Sequence, residues 1–293
     1  MSIILKTKRL NVEIAEPGEF PNTTTRFDRS GFVVQVTLDN QFAFCTKEPD
    51  KLTHPSTGGV GLCSEFQLSA PADEAANGTQ FPKMGVGLLT KEEEGGYVFH
   101  YPYPCEPYEI NYTKADTLVQ FETKPNPCQG YAASHTKTLE VLGNELIMTM
   151  EVENAGTKPL VFDEYCHNFM TLEHLPIGDQ FYIGMSVASQ DGKTAKDNDA
   201  LIGSGNGFTF TRYSSTAVMI SVEKEDICDE VPFQWKLTSQ KSLAWVSESV
   251  SVRPSKISIW SIDHIISPEV FCHFDLAPGE KATWSRKWTF DCN

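Results

Sequence analysis

Apolar residues in this chain recur in short alternating runs, and turn-forming residues separate the runs. Gly31 to Leu38 alternates up to Asp39-Asn40, and Gln41 to Phe44 follows at once, which predicts a hairpin. Thr136 to Leu142 and Leu146 to Val152 flank Gly143-Asn144-Glu145 in the same way. Further strands are predicted at Thr117 to Glu122, Leu160 to Tyr165, Ala217 to Val222, Leu243 to Glu248, Lys256 to Ile262, Val270 to Leu276 and Thr283 to Phe290. Helical periodicity is hard to find. Two stretches rich in Ala, Asp, Asn and Gly, Pro71 to Gln80 and Ser189 to Gly207, read as long loops. No linker-like stretch interrupts the pattern. Residues 1–293 therefore predict one all-β domain of antiparallel strands in stacked sheets.

Composition removes several functional classes. The formal net charge of −15 argues against nucleic-acid binding, which needs clustered Lys and Arg, and against docking on anionic membranes. The N-terminal apolar run Ile3-Ile4-Leu5 is too short for a signal-peptide core, and no run approaches the ~18 to 20 apolar residues of a membrane span. The eight cysteines show no CxxC and no tight spacing, so reduced thiols in a cytoplasmic protein are expected. There is no HxH or HExxH for a metal, no GxxxxGK[ST] or GxGxxG for a phosphate or dinucleotide, and no GxSxG elbow. No metal and no cofactor are predicted.

The candidate chemistry centres on Glu164-Tyr165-Cys166-His167-Asn168-Phe169. In a strand, Tyr165, His167 and Phe169 share one face, and Cys166 and Asn168 share the other. His167 reads either as a core histidine hydrogen-bonded among aromatics or as a general acid that titrates near neutral pH. Glu269, in Ile265-Ile266-Ser267-Pro268-Glu269, sits among apolar residues. It reads either as a solvated strand-entrance residue or as a base whose burial raises its pKa. Glu65 and Lys83 lie near glycines that permit a close backbone approach to a ligand, and Arg26 has Asp28 as a candidate ion-pair partner. With Asn168, these three form the expected set of ligand contacts, each open to a purely structural reading.

Five segments in order resemble the aldose 1-epimerase (galactose mutarotase-like) superfamily, above all its uncharacterised bacterial branch. They are Thr25-Arg26-Phe27-Asp28-Arg29-Ser30-Gly31, Ser64-Glu65-Phe66, Phe81 to Gly87, Glu164 to Phe169, and Ser267-Pro268-Glu269 with Pro278-Gly279-Glu280. The resemblance implies a β-supersandwich with a sugar-binding cleft and a small-molecule sugar as partner. It implies that His167 protonates the ring oxygen and Glu269 takes the proton of the C1 hydroxyl, opening the ring so that it recloses as the other anomer. That division of labour requires the two groups to face one cleft with room for a sugar ring between them. Cys166 and Met170 stand where the family usually has Asn and an aromatic, which implies an altered pocket beside the histidine. Six arginines, dispersed at 9, 26, 29, 212, 253 and 286, argue against a phosphorylated substrate. A sugar-binding protein without turnover is the alternative, and a lyase or hydrolase relative is a third reading, the hydrolase needing a second carboxylate ~5 to 9.5 Å from Glu269.

Overall fold

The computed structural model describes residues 2–19, 25–49, 57–196 and 198–293. Two large sheets hold most of the strands. The first runs, in spatial order, Ile3–Lys6, Leu10–Ile14, Val33–Leu38, Leu62–Gln67, Leu160–Asn168, Ile265–Leu276, Lys256–Ile262 and Val218–Glu223, with Phe42–Ala43 paired to Val33–Leu38. The second has ten strands, with Ala244–Val250, Lys281–Cys292, Glu145–Asn154 and Ala133–Leu142 adjacent near its middle. The pairings within both sheets are antiparallel, as sequence alternation requires when one face packs and the other meets water. Ala244–Val250 shows this directly, alternating buried and half-buried residues along its length. At the predicted hairpin, Asp39 and Asn40 both take positive φ (51° and 56°), the conformation that Asp and Asn tolerate in a tight turn.

The inner faces of the two sheets meet in one apolar core that includes Trp235, Trp284, Trp288, Phe66 and Phe162. Charged side chains are buried there as well. Arg286, fully buried on Lys281–Cys292, bonds Glu164 of the first sheet at 2.7 Å and Glu248 of its own sheet at 2.9 Å. Its Nη2 also donates to the carbonyl of Val270 at 2.7 Å, so the guanidinium ties together two of the first-sheet strands that carry the site.

The expected loop Pro71 to Gln80 begins inside a short helix, Ala70–Glu74, and ends on a strand of a small sheet made of Gln80–Lys83, Gly87–Thr90 and Cys105–Pro107. Pro71, near the helix start, supplies a preset φ there. The expected loop Ser189 to Gly207 contains the strand Leu201–Ser204, and its residue 197 lies outside the described residues. Among the described residues, no helix is long and apolar enough to cross a membrane.

Candidate active site

Three neighbouring strands of the first sheet deliver the site. Leu62–Gln67 brings Glu65, Leu160–Asn168 brings Tyr165 and His167, and Ile265–Leu276 brings Ser267, Glu269 and Phe271. Tyr165 lies opposite Glu65 and Ser258 lies opposite Glu269 in register, so each pair projects from the same face. The Tyr165 and Phe271 rings stack at 4.4 Å and form an apolar floor. Above it opens a cleft of about 560 Å³ whose lining includes Arg26, Glu65, Tyr165, Lys256, Ser258, Glu269 and Phe271. The loop between the second and third strands of the small sheet closes one side with Tyr97 and Phe99, and Met219 lines the cleft as well.

His167 and Glu269 are in direct contact, Nε2 to Oε1 at 3.2 Å. No sugar ring fits between them, which overturns the expectation that they face each other across one. His167 is 4% exposed and lies behind Glu269 rather than on the cleft wall. Its ring stacks on Phe169 at 3.8 Å with Phe27 and Trp260 edge-on. Gly59 makes room for that stack, because a Cβ there would meet the Phe169 ring at 2.2 Å. Burial holds the imidazole well below its ordinary pKa, and the charge of Arg26 adds to this, so His167 is neutral. Its Nδ1 lies 3.0 Å from Ser267 Oγ, which also lies 3.3 Å from Glu269 Oε1. Burial pushes Glu269 up to about 7, and the Arg26 charge and the nearby Ser267 hydroxyl offset only part of that push. Both contacts of the carboxylate fall on Oε1, which leaves Oε2 for a ligand in the cleft.

Glu65 sits in a different environment. Lys83 Nζ lies 3.1 Å from its Oε1, and Arg26 Nε and the Tyr165 hydroxyl donate to its Oε2 at 2.8 and 2.5 Å. Arg26 Nη2 bonds Tyr165 at 2.7 Å, and Lys83 also donates to the Phe66 carbonyl at 2.7 Å. Burial pushes Glu65 up, but Lys83 and Arg26 outweigh it and hold the carboxyl below its ordinary value. Arg26 and Glu65 both line the cleft, already bonded to each other.

Other expected contacts lie elsewhere. Lys83 is 3% exposed behind Glu65 and Tyr97, not on the cleft wall. The glycines beside it serve packing rather than ligand approach: a Cβ on Gly85 would meet Asp28, and one on Gly87 would meet the Glu106 backbone. Asn168 is fully buried, and its Nδ2 ties the strand to the Pro268 carbonyl at 2.5 Å. Asp28 pairs with Lys137 at 2.6 Å rather than with Arg26. Cys166 and Met170 point into the core between the sheets, so neither shapes the pocket. Sequence reasoning missed Tyr165 and Ser267. Strand alternation was the signal, since each sits two residues from a chosen residue on the same face.

No family model matches this chain, and no curated protein does. Solved structures do resemble it along its whole length. The Slr1438 protein of Synechocystis sp. PCC 6803 has a TM-score of 0.62 at 11% identity, covering 100% of this chain and 96% of that one. A galactose mutarotase related enzyme from Lactobacillus acidophilus has a TM-score of 0.60 at 12% identity, covering 99% and 97%. An aldose epimerase homologue from C. elegans has a TM-score of 0.56 at 12% identity, covering 100% and 99%. The fold is galactose mutarotase-like; at such identities the likeness is one of fold, and function must be argued from the site.

Proposed function

We propose that the cleft binds a free sugar and that Glu269 interconverts its anomers by shuttling one proton. The observation behind this is a cleft carboxyl pushed up to about 7, anchored through one oxygen and open at the other. A base that must return its proton works best when its pKa lies near the working pH. Mutarotation needs a proton taken from the C1 hydroxyl and a proton given to the ring oxygen, and both oxygens are bonded to C1. One carboxylate on one side therefore suffices. Ionised Glu269 takes the hydroxyl proton, the C1–O bond to the ring oxygen breaks as the aldehyde forms, and the freed alkoxide takes the proton back. Rotation about C1–C2 and the reverse steps give the other anomer. His167 acts from behind as a neutral donor that fixes the carboxylate, in place of the ring-oxygen acid implied by the resemblance. Arg26, Lys256 and Ser258 offer hydrogen bonds to hydroxyls, and the Tyr165–Phe271 floor offers an apolar surface to a sugar face. The names of two structural neighbours, a galactose mutarotase related enzyme and an aldose epimerase homologue, agree with this reading.

Sugar binding without turnover is the second reading, and the closed contact between His167 and Glu269 favours it. Polarimetry on freshly dissolved α-D-glucose, α-D-galactose and a wider sugar panel separates the two. Equilibration faster than buffer is expected for at least one sugar, with Glu269→Gln losing about 10² to 10⁴-fold, the contribution of a positioned base. His167→Asn loses most of the rate as well. Equilibration no faster than buffer across the panel, together with a sugar-dependent rise in melting temperature, leaves the binding reading in its place.

A further inference from the structure

We propose that Ser267 is a positioning residue: it fixes the tautomer of His167 and so directs the proton of Glu269 to the oxygen that faces the cleft. This deepens the proposed proton shuttle and rests on it for its role in turnover. The geometry is a one-way chain of donors. The Asn168 backbone N–H donates to Ser267 Oγ at 3.0 Å, so one lone pair of that oxygen is occupied and its own hydrogen points elsewhere. Ser267 is fully buried, so its hydrogen has only two places to go, His167 Nδ1 at 3.0 Å or Glu269 Oε1 at 3.3 Å. The second choice requires an Nδ1–H imidazole, whose bare Nε2 then faces a lone pair of ionised Oε1 across 3.2 Å in a buried spot. That arrangement leaves two acceptors opposed and unpaired, at the cost of an unmade buried hydrogen bond. The first choice satisfies every atom. Ser267 donates to Nδ1, Nε2–H donates to Oε1, and each bond polarises the next. Oε1 is then always an acceptor, and the proton that Glu269 gains and loses resides on Oε2, within reach of a ligand.

The test reads the imidazole directly. Nitrogen NMR of the sugar-free protein is expected to show His167 as the neutral Nε2–H tautomer at neutral pH. Ser267→Ala leaves Nδ1 without its donor and is expected to admit the Nδ1–H form once Glu269 is protonated, to raise the pH midpoint of the Glu269 carboxyl carbon signal, and to lower kcat about 10 to 100-fold with KM little changed, the scale on which orienting partners of a working imidazole matter. Ser267→Thr, which keeps the hydroxyl, restores the tautomer. Arg26, Lys256 and Glu65, the charged groups that also act on Glu269, are untouched by either substitution, so the displaced midpoint belongs to Ser267. A wild-type His167 in the Nδ1–H form overturns the proposal without any variant, as does an Ala variant that keeps the Nε2–H form and the wild-type midpoint. An inactive protein whose tautomer depends on Ser267 rejects only the epimerase reading, whereas an active one whose tautomer does not rejects only this proposal.

Discussion

Glu65 and Glu269 line one cleft from the strands on either side of the one that carries His167, and both are nearly buried, at 2% and 7% exposure. Glu65 has both oxygens occupied by Lys83, Arg26 and Tyr165 and stays below the ordinary carboxyl pKa. Glu269 has one oxygen beside two neutral groups, His167 at 3.2 Å and Ser267 at 3.3 Å, and rises to about 7. Burial is common to both, so burial does not decide which carboxyl transfers protons; the charge of the partners does. Two carboxyls whose environments drive them apart divide the work between an anchor and an acid–base group.

Removing the anchor has the largest expected effect. Glu65→Ala leaves Lys83, 3% exposed, without its anion, and uncompensated buried charge typically costs about 3 to 5 kcal/mol. Urea denaturation measures this, and adding Lys83→Met to the same chain is expected to recover much of the loss. A single-variant loss below about 1 kcal/mol, the scale of an exposed pair, removes the distinction between the two carboxyls.

The next effect concerns pH. Glu269 has a folded pKa of about 7 against an ordinary 4.5, so between those values the folded state holds a proton that the unfolded state has released. Stability therefore falls as pH rises through that window, by roughly 3 kcal/mol at about 1.4 kcal/mol per pH unit. Glu269→Gln, which never ionises, lacks this loss. The difference between wild-type and variant stability, followed from pH 4 to 8, is expected to drop across the window and level off above about 7. A flat difference curve shows that Glu269 titrates like an ordinary carboxyl, and the contrast with Glu65 disappears.

Much of this arrangement was legible in the sequence. Period-two alternation located strands at Leu160 to Tyr165 and Val270 to Leu276, which the structure extends to Asn168 and back to Ile265 so that they carry His167 and Glu269, and it placed Tyr165 and His167 on one face. The order of the motifs pointed to the fold that the whole-length structural likenesses show. Contacts between segments distant in the chain were not legible. Arg26 stands two residues from Asp28, yet it crosses to Glu65, 39 residues on, while Asp28 turns inward to Lys137. Asn168 and Cys166 share the face opposite His167, and both are buried, away from the cleft. Alternation separates the two faces of a strand without saying which one opens on a cleft. The direct contact between His167 and Glu269 depends on how two neighbouring strands lie at their ends, and no local pattern encodes that distance.

Tyr165 gives the smallest expected effect and the sharpest division between the two regions, because it belongs to both. Its hydroxyl bonds Glu65 and Arg26, and its ring stacks on Phe271, two residues along the strand from Glu269. Burial raises the phenol far above its ordinary pKa, which makes it a poor proton donor at neutral pH. Tyr165→Phe keeps the stacked floor and removes only the hydroxyl. A loss of about 1.5 to 3 kcal/mol in stability, the range for a hydrogen bond to a charged group, is expected, with kcat in polarimetry within a few-fold of wild type. The opposite outcome is a kcat as low as that of Glu269→Gln with stability intact. Tyr165 then supplies the proton to the ring oxygen, the anchor region takes part in the chemistry, and a single carboxyl no longer accounts for the reaction.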